Sequence, residues 1–243
     1  MRATRPDIAA VVLAGGFGSR IRHLLPDVPK PMAMVAGRPF LEHVVRYVGS
    51  FGLSRVILST GYLAEAIEAH FAAVRVPDVE VSCTREATPL GTAGGFLQAA
   101  RQVTPAPDAW LVLNGDSLVF SDFARFIDEF ERTRLPAAIM GLRLNDAGRF
   151  GTLETGPDGA LARFAEKRPG AGLINAGVYL FRPALLAEFP AKTPLSFETE
   201  VFPSLLSRGV RILVQPVEAP FLDIGTPESL ARAEEFIMAN RQC

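Results

Sequence analysis

Leu13-Ala-Gly-Gly-Phe-Gly-Ser-Arg20, followed by Pro29-Lys30-Pro31, is a segment whose residue types suit the holding of phosphate. Glycines let backbone N–H groups approach phosphate oxygens with no Cβ in the way. Arg20 and Lys30 add fixed positive charge suited to a triphosphate. Two familiar phosphate loops are excluded. The dinucleotide fingerprint needs a third Gly where Ile21 stands, and the Walker loop needs a Gly-Lys pair that this chain does not contain. A plain strand–turn–helix would explain the glycines but not Arg20 and Lys30.

Asn114-Gly115-Asp116 closes an apolar run, and a carboxylate just past a buried strand is rigidly placed to hold magnesium. Ordinary turn chemistry would also put Asp after Gly. Phe221-Leu-Asp223-Ile-Gly-Thr-Pro227 offers a second carboxylate. Thr226 and Pro227 read simply as the cap and first turn of a helix, which leaves Asp223 unexplained. Two carboxylates, Asp116 and Asp223, with substrate phosphates and waters would complete an octahedral Mg2+ site.

Glu166 and Lys167 are adjacent and can serve two parts of one ligand, the Glu accepting from sugar hydroxyls and the Lys donating to a sugar phosphate. A solvated surface pair is the plainer alternative. Asn175-Ala-Gly177 can add an amide for sugar hydroxyls, with Gly177 leaving room for the ring. Glu86-Ala-Thr-Pro-Leu-Gly-Thr92 opens a helix and can wrap a nucleobase. Guanine offers two adjacent donors, N1–H and N2–H2, to a carboxylate such as Glu86, whereas uracil and thymine offer one. That favours GTP. A polar residue at a strand end is the plainer reading of Glu86.

The elements that must position these groups follow from periodicity. Ile8–Leu13, Arg55–Ser59, Val79–Cys83 and Trp110–Leu113 read as strands. Phe40–Phe51, Leu63–Ala73 and Thr92–Val103 read as the helices between them. Strand–helix alternation predicts a mostly parallel, layered α/β sheet, with ligands at the carboxyl edge of the strands. The Gly15-Gly16 loop and Asp116 then share that edge. Ala137–Leu144, Gly151–Leu153, Leu161–Phe164 and Leu173–Phe181 read as strands of a sugar-side extension, with Pro157-Asp158-Gly159 as a hairpin turn. Glu228–Asn240 reads as the final helix. No linker or repeat intervenes, so residues 1–243 are expected to form one domain, with a nucleotide half near 1–120 and a sugar half near 121–243.

Composition bounds the partners. The net charge of −1 argues against nucleic acid. Cys83 and Cys243 make neither a disulfide framework nor a zinc pattern, and they suit a reducing cytoplasm. No apolar run has the length of a membrane span, and no secretory leader is expected. Of 25 basic residues, 22 are Arg and three are Lys: Lys30, Lys167 and Lys192. A Lys in an Arg-biased chain points to a need for a compact ammonium.

Taken together, these motifs resemble the sugar-1-phosphate nucleotidyltransferase family, from Ile8 to about Ile237. Asp27-Val-Pro-Lys-Pro-Met32, Gly37-Arg-Pro-Phe-Leu41, Leu173-Ile-Asn-Ala-Gly-Val-Tyr179, Leu195-Ser-Phe-Glu198 and Phe221-Leu-Asp-Ile-Gly225 look most like the D-glycero-α-D-manno-heptose 1-phosphate guanylyltransferases. Mannose-1-phosphate guanylyltransferases and the N-acetylmuramate-1-phosphate uridylyltransferase are close relatives. The length resembles the stand-alone members, without a β-helix region. The resemblance implies a three-layer Rossmann-like mixed sheet of the nucleotide-diphospho-sugar transferase type. It puts Arg20, Lys30 and Lys167 in the catalytic set. It puts Leu13, Ala14, Gly15, Gly16, Gly18, Ser19, Arg20, Lys30, Glu86, Pro89, Gly91 and Thr92 on the nucleotide. It puts Asn114, Gly151, Glu166, Lys167, Asn175 and Gly177 on the sugar, and Asp116 and Asp223 on Mg2+. Ser19 stands where Thr is more usual, Arg168-Pro169 follows Glu-Lys where many relatives have Pro directly, and Ser117 follows Asp116 where some have Thr or Asn.

The implied reaction joins GTP to heptose 1-phosphate and releases pyrophosphate, for cell-surface polysaccharide synthesis. A homodimer is left open. The rival of another class is an inactive subunit that senses nucleotide sugars; such a copy would be expected to have lost one of Arg20, Lys30, Asp116, Glu166, Lys167 or Asp223, and all are present.

Overall fold

Ile8, Ala10, Val12 and Ala14 of the first strand point into one apolar cluster and Ala9 and Val11 into another. Every second residue being apolar on both faces means that both faces of the sheet are covered, which makes three layers. The structure is a computed structural model describing residues 6–165 and 169–240. Glu166, Lys167 and Arg168 lie outside the described residues.

In chain order, β1 (Ile8–Ala14) is followed by the short pair β2 (Met34–Val35) and β3 (Arg38–Pro39), then α1 (Phe40–Ser50), β4 (Arg55–Thr60), α2 (Ala64–Ala73), β5 (Glu80–Arg85), α3 (Thr92–Ala100) and β6 (Ala109–Asn114). After these come β7 (Ser117–Val119), α4 (Phe123–Thr133), β8 (Ala137–Leu144), β9 (Thr152–Thr155), β10 (Leu161–Ala165) and β11 (Gly172–Phe181). A π-helical turn (Phe197–Val201) leads into α5 (Phe202–Ser207), then β12 (Ile212–Val217), β13 (Phe221–Asp223), α6 (Pro227–Ala231) and α7 (Ala233–Asn240).

β5, β4, β1 and β6 pair in parallel in that order. β11 then enters antiparallel between β6 and β8, and β12 closes the edge parallel to β8. The β9–β10 hairpin extends the sheet beside the start of β11. Its turn is the expected one: Asp158 Oδ1 accepts from Ala160 N at 3.1 Å, and Gly159 takes φ +74°. α1, α2, α4 and α7 contribute to one apolar layer, and α3, the π-turn and α5 to the other.

Several elements differ from the sequence reading. Leu63 takes φ 51°, so α2 starts at Ala64. α3 ends at Ala100, three residues before the Val103 end expected, with turns leading to Pro105. The final helix is two helices. Thr226 caps α6 in a capping box with Ser229, and α6 ends at its C-cap Arg232 before α7 starts at Ala233. α4 has a strong apolar face of Phe123, Phe126, Ile127 and Phe130 that the sequence reading passed over.

Candidate active site

The carboxyl ends of β1 and β6 lie side by side, with Leu13 opposite Asn114. The Gly-rich loop leaving β1 and the Asn114-Gly115-Asp116 turn leaving β6 therefore meet. Gly115 N donates to Leu13 O at 2.9 Å, and a Cβ on Gly115 would stand 2.8 Å from that same oxygen. Only a residue without a side chain lets the two turns come this close.

A cavity of about 390 Å³ opens at this edge. Leu13, Ala14, Gly15, Gly16, Gly18, Ser19, Arg20, Lys30, Glu86, Pro89, Gly91 and Thr92 all line it, with Asn114 and Asp116. Phe17, Pro31 and Gly225 line it too, and the sequence reading gave them no role. Phe17 is 53% exposed and lies against Tyr62, their ring centroids 5.5 Å apart.

Lys30 is tucked beneath the loop. Gly18 takes φ +58°, and a Cβ there would meet Lys30 Cβ at 2.8 Å. The Lys30 ammonium is buried and donates to Asp116 Oδ2 at 2.7 Å. Asp223 reaches the same spot from β13, which pairs with β7 so that Asp223 lies opposite Ser117. Ile224 N also donates to Asp116 O at 3.0 Å. Asp223 Oδ1 accepts from Gly225 N at 2.7 Å. A Cβ on Gly225 would collide with Asp223 Oδ1 and stand 3.2 Å from both Arg20 Nη2 and Lys30 Nζ. Arg20, Lys30, Asp223 and Gly225 thus converge on one point, with Asp116 bonded to Lys30; Arg20, Lys30, Asp116 and Gly225 line this cavity, whereas Asp223 lines a neighbouring one with Phe150 and Phe221.

Asp116 and Asp223 fit a magnesium site as far as their chemistry goes. Asp116 Oδ1 and Asp223 Oδ2 make no hydrogen bond among the described residues, so each carboxylate keeps one hard anionic oxygen for a cation. Among the described residues no group of three or more His, Cys, Asp or Glu side chains could hold a metal ion. Phosphate oxygens and water would have to supply the other positions.

Glu86 sits differently from the expectation of a carboxylate free to read guanine with both oxygens. Its Oε2 accepts from Leu90 N at 2.9 Å and its Oε1 from Ser59 Oγ at 3.1 Å. The carboxylate staples the loop that follows it, and each oxygen has one lone pair committed. A Cβ on Gly15 would stand 2.7 Å from Oε1, so the glycine is what lets the Gly-rich loop lie against Glu86.

Of the residues expected on the sugar, Gly151 and Asn175 line a second cavity of about 460 Å³ with Phe150, Phe164, Ala165, Glu198 and Thr199, whereas Asn114 lines the first cavity instead and Gly177 lines neither. Phe164 and Ala165 belong to β10, so the β9–β10 extension forms one wall. β11 runs opposite to β6, so its first half meets the carboxyl edge. Its pairing with β8 shifts register between Asn175 and Tyr179. Gly177 in that irregularity takes φ +71°, and a Cβ there would collide with the Asn114 amide. Gly177 therefore seats Asn114, where the expectation was room for a sugar ring. Glu166 and Lys167, expected on the sugar and its phosphate, lie outside the described residues. Glu198 and Thr199 were missed; the quoted Leu195-Ser-Phe-Glu198 motif was the signal that could have found them.

Known proteins share this chain's sequence pattern and fold. The nucleotidyl transferase family profile matches residues 9–240. The chain is 35% identical over 229 residues to mannose-1-phosphate guanylyltransferase of Mycobacterium tuberculosis, matching 93% of this chain and 63% of that one. It therefore spans less than two thirds of that relative's length. It is 30% identical to D-glycero-alpha-D-manno-heptose 1-phosphate guanylyltransferase of Aneurinibacillus thermoaerophilus, over 93% of this chain and 96% of the relative. Among solved structures, HddC from Yersinia pseudotuberculosis complexed with GMP-PN superposes with a TM-score of 0.83 at 31% identity, over 93% of this chain and 98% of that one. The sheet order, the Gly-rich loop after β1 and these matches agree: the chain belongs to the nucleotidyl transferase family, with its mixed three-layer α/β fold.

Proposed function

We propose that the chain is a magnesium-dependent guanylyltransferase that joins GTP to D-glycero-α-D-manno-heptose 1-phosphate and releases pyrophosphate. The carrying observation is the convergence of Arg20, Lys30, Asp116 and Asp223 beside a cavity lined by the Gly-rich loop. Both cavities open on one continuous sheet, which supports one catalytic domain over residues 1–243. No helix among the described residues is long and apolar enough to cross a membrane, and Cys83 is a free thiol, in keeping with work in the cytoplasm.

A phosphate oxygen of the sugar 1-phosphate attacks the α-phosphorus of GTP in line. The bond from that phosphorus to the bridging oxygen of the β-phosphate breaks, and pyrophosphate leaves with the electron pair. No covalent enzyme intermediate is needed, because the phosphate monoester is already an anionic nucleophile. The chain's task is to bring two anions together. Backbone N–H groups of the Gly-rich loop receive the phosphates. Arg20 and Lys30 offset charge on the departing pyrophosphate. Glu86, fixed by Ser59 and Leu90, presents its remaining lone pairs to the guanine edge. Asn175 and Gly151 face the sugar, and Lys167 takes the sugar phosphate in line with the family resemblance. Asp116 and Asp223 would hold a magnesium ion, which would supply Lewis-acid polarisation of the phosphates.

A second sugar is favoured by one observation. The identity to the mannose-1-phosphate enzyme is 35% against 30% for the heptose one. Four nucleoside triphosphates should therefore be crossed with heptose, mannose, glucose and N-acetylmuramate 1-phosphates, and pyrophosphate release measured. GTP with heptose 1-phosphate is expected to give the highest kcat/KM. A higher value for GTP with mannose 1-phosphate moves the sugar assignment, and a higher value with UTP removes the guanine assignment.

A further inference from the structure

Between the two cavities runs a chain of directed hydrogen bonds that joins the nucleotide loop to the sugar wall. It begins at Gly177 N, which donates to Asn175 Oδ1 at 3.0 Å. Asn175 Nδ2 donates to the Tyr179 hydroxyl at 2.7 Å, and that hydroxyl donates to Glu198 Oε1 at 3.1 Å. Glu198 Oε2 accepts from the Ser196 hydroxyl at 3.0 Å and from the Thr92 hydroxyl at 3.4 Å. Thr92 lines the nucleotide cavity, and Asn175 and Glu198 line the sugar cavity.

The direction of each bond is set by chemistry. Asn175 Oδ1 has an N–H pointing at it, so its nitrogen must face Tyr179. The Tyr179 hydroxyl is fully buried and accepts from Asn175, so its one proton goes to Glu198. Burial and then the Glu198 charge hold that phenol well above its ordinary pKa, so it stays a donor. Asn175 is thereby held at both ends, its Oδ1 by Gly177 N and its Nδ2 by a Tyr179 hydroxyl that Glu198 orients, with one N–H left for a ligand.

The segment carrying Glu198 is fastened to the nucleotide loop as well. Leu195 N donates to Leu90 O at 2.7 Å, and Leu195 O accepts from Ala93 N and Gly94 N at 3.0 and 3.2 Å. Phe197 N donates to Thr92 Oγ1 at 2.9 Å. Gly91 takes φ +78°, and a Cβ there would stand 2.5 Å from Leu195 O. The turn holding Glu198 is π-helical, a widened form that recurs where a side chain must be aimed.

We propose that Glu198 and Tyr179 are positioning residues that couple the two half-sites, so that nucleotide seated against Thr92 improves the grip of Asn175 on the sugar hydroxyls. This rests on the reading of the protein as a sugar-1-phosphate guanylyltransferase. Tyr179→Phe keeps the ring and removes the link. Glu198→Gln keeps the shape and removes the charge.

The test uses the full chain, steady-state kinetics, and calorimetry of sugar 1-phosphate binding with and without a non-hydrolysable GTP analogue. In the wild type the analogue should tighten sugar 1-phosphate binding. Tyr179→Phe should abolish that gain and raise the sugar KM about tenfold, the weight of one hydrogen bond, with the GTP KM within about twofold. Glu198→Gln should raise both KM values. Wild-type coupling retained in Tyr179→Phe overturns the proposal, and so does a fall in kcat alone with KM and coupling intact. Absence of coupling in the wild type overturns it as well. If Glu198→Gln fails to fold, Tyr179→Phe decides alone. Should the wild type release no pyrophosphate with any substrate pair, the functional reading fails, while calorimetry with mannose 1-phosphate still decides the coupling.

Discussion

Lys30 Nζ stands 2.7 Å from Asp116 Oδ2, and it lies beside Gly225, whose missing side chain leaves space shared with Asp223 Oδ1. A buried ammonium thus sits next to the carboxylates expected to hold a cation. Asp116→Asn removes the charge and keeps the shape. Turnover should fall by about 10²-fold or more, with the melting temperature nearly unchanged. Pyrophosphate release and a thermal melt check both halves, and near-normal turnover would take Asp116 out of the reaction. EDTA should abolish turnover in the wild type, and added Mg2+ should restore it.

Gly225→Ala tests the convergence point. The new Cβ would meet Asp223 Oδ1, Lys30 Nζ and Arg20 Nη2 together. kcat should drop by at least about tenfold from a displacement of well under 1 Å, because reacting groups tolerate little misplacement. A variant with unaltered kcat would show that these side chains have slack that the geometry denies.

Glu86→Gln addresses the base. The amide oxygen can still accept from Leu90 N, so the loop should keep its place. The charge proposed to face guanine is lost. The ratio of kcat/KM for GTP over UTP should fall about tenfold. An unchanged ratio would confine Glu86 to its bonds with Ser59 and Leu90.

Glu200 gives a pH dependence. The bond from Lys192 and those from Ser196 N and Thr199 hold its carboxyl down at about 2, against an ordinary 4.5. A folded-state pKa lower than the unfolded one stabilises above the unfolded value and is lost as pH falls through the folded one. The melting-temperature gap between wild type and Glu200→Gln should therefore be full above pH 4.5 and close between about pH 4.5 and 2. A gap that is constant across that range would refute the assignment.

Cys83 should be unreactive. Burial, and then the Glu68 charge, push its thiol up to about 11. In a Cys243→Ser background, iodoacetamide at pH 8 should label the native protein far more slowly than the denatured one. Equal rates would contradict the burial.

Much of this was legible in the sequence because it was local. The Gly-rich loop, Lys30 and the Glu86–Thr92 stretch are short motifs, and every residue of theirs expected on the nucleotide lines one cavity. The apolar run Ile8–Leu13 announced a strand, and strand–helix alternation a layered sheet. What escaped was set at long range. Glu86 could not be known to be bound by Ser59, which lies on another strand. Gly177 reads as space for a ligand until Asn114 is found filling it. β7 and β13 are three residues each, too short to carry a period, yet their pairing brings Asp223 to Asp116. α4 is legible in the helical spacing of Phe123, Phe126, Ile127 and Phe130.

The reversal of β11 also bears on how the chain emerges during synthesis. β6 takes β1 on one side and β11 on the other. Until Gly172–Phe181 has left the ribosome, the run Trp110–Leu113 presents an unpaired, strongly apolar edge to any neighbouring chain. The strand that carries Asn175 into the second cavity is thus also the cover that ends this vulnerable interval, so weakened pairing there should show first as lower soluble yield.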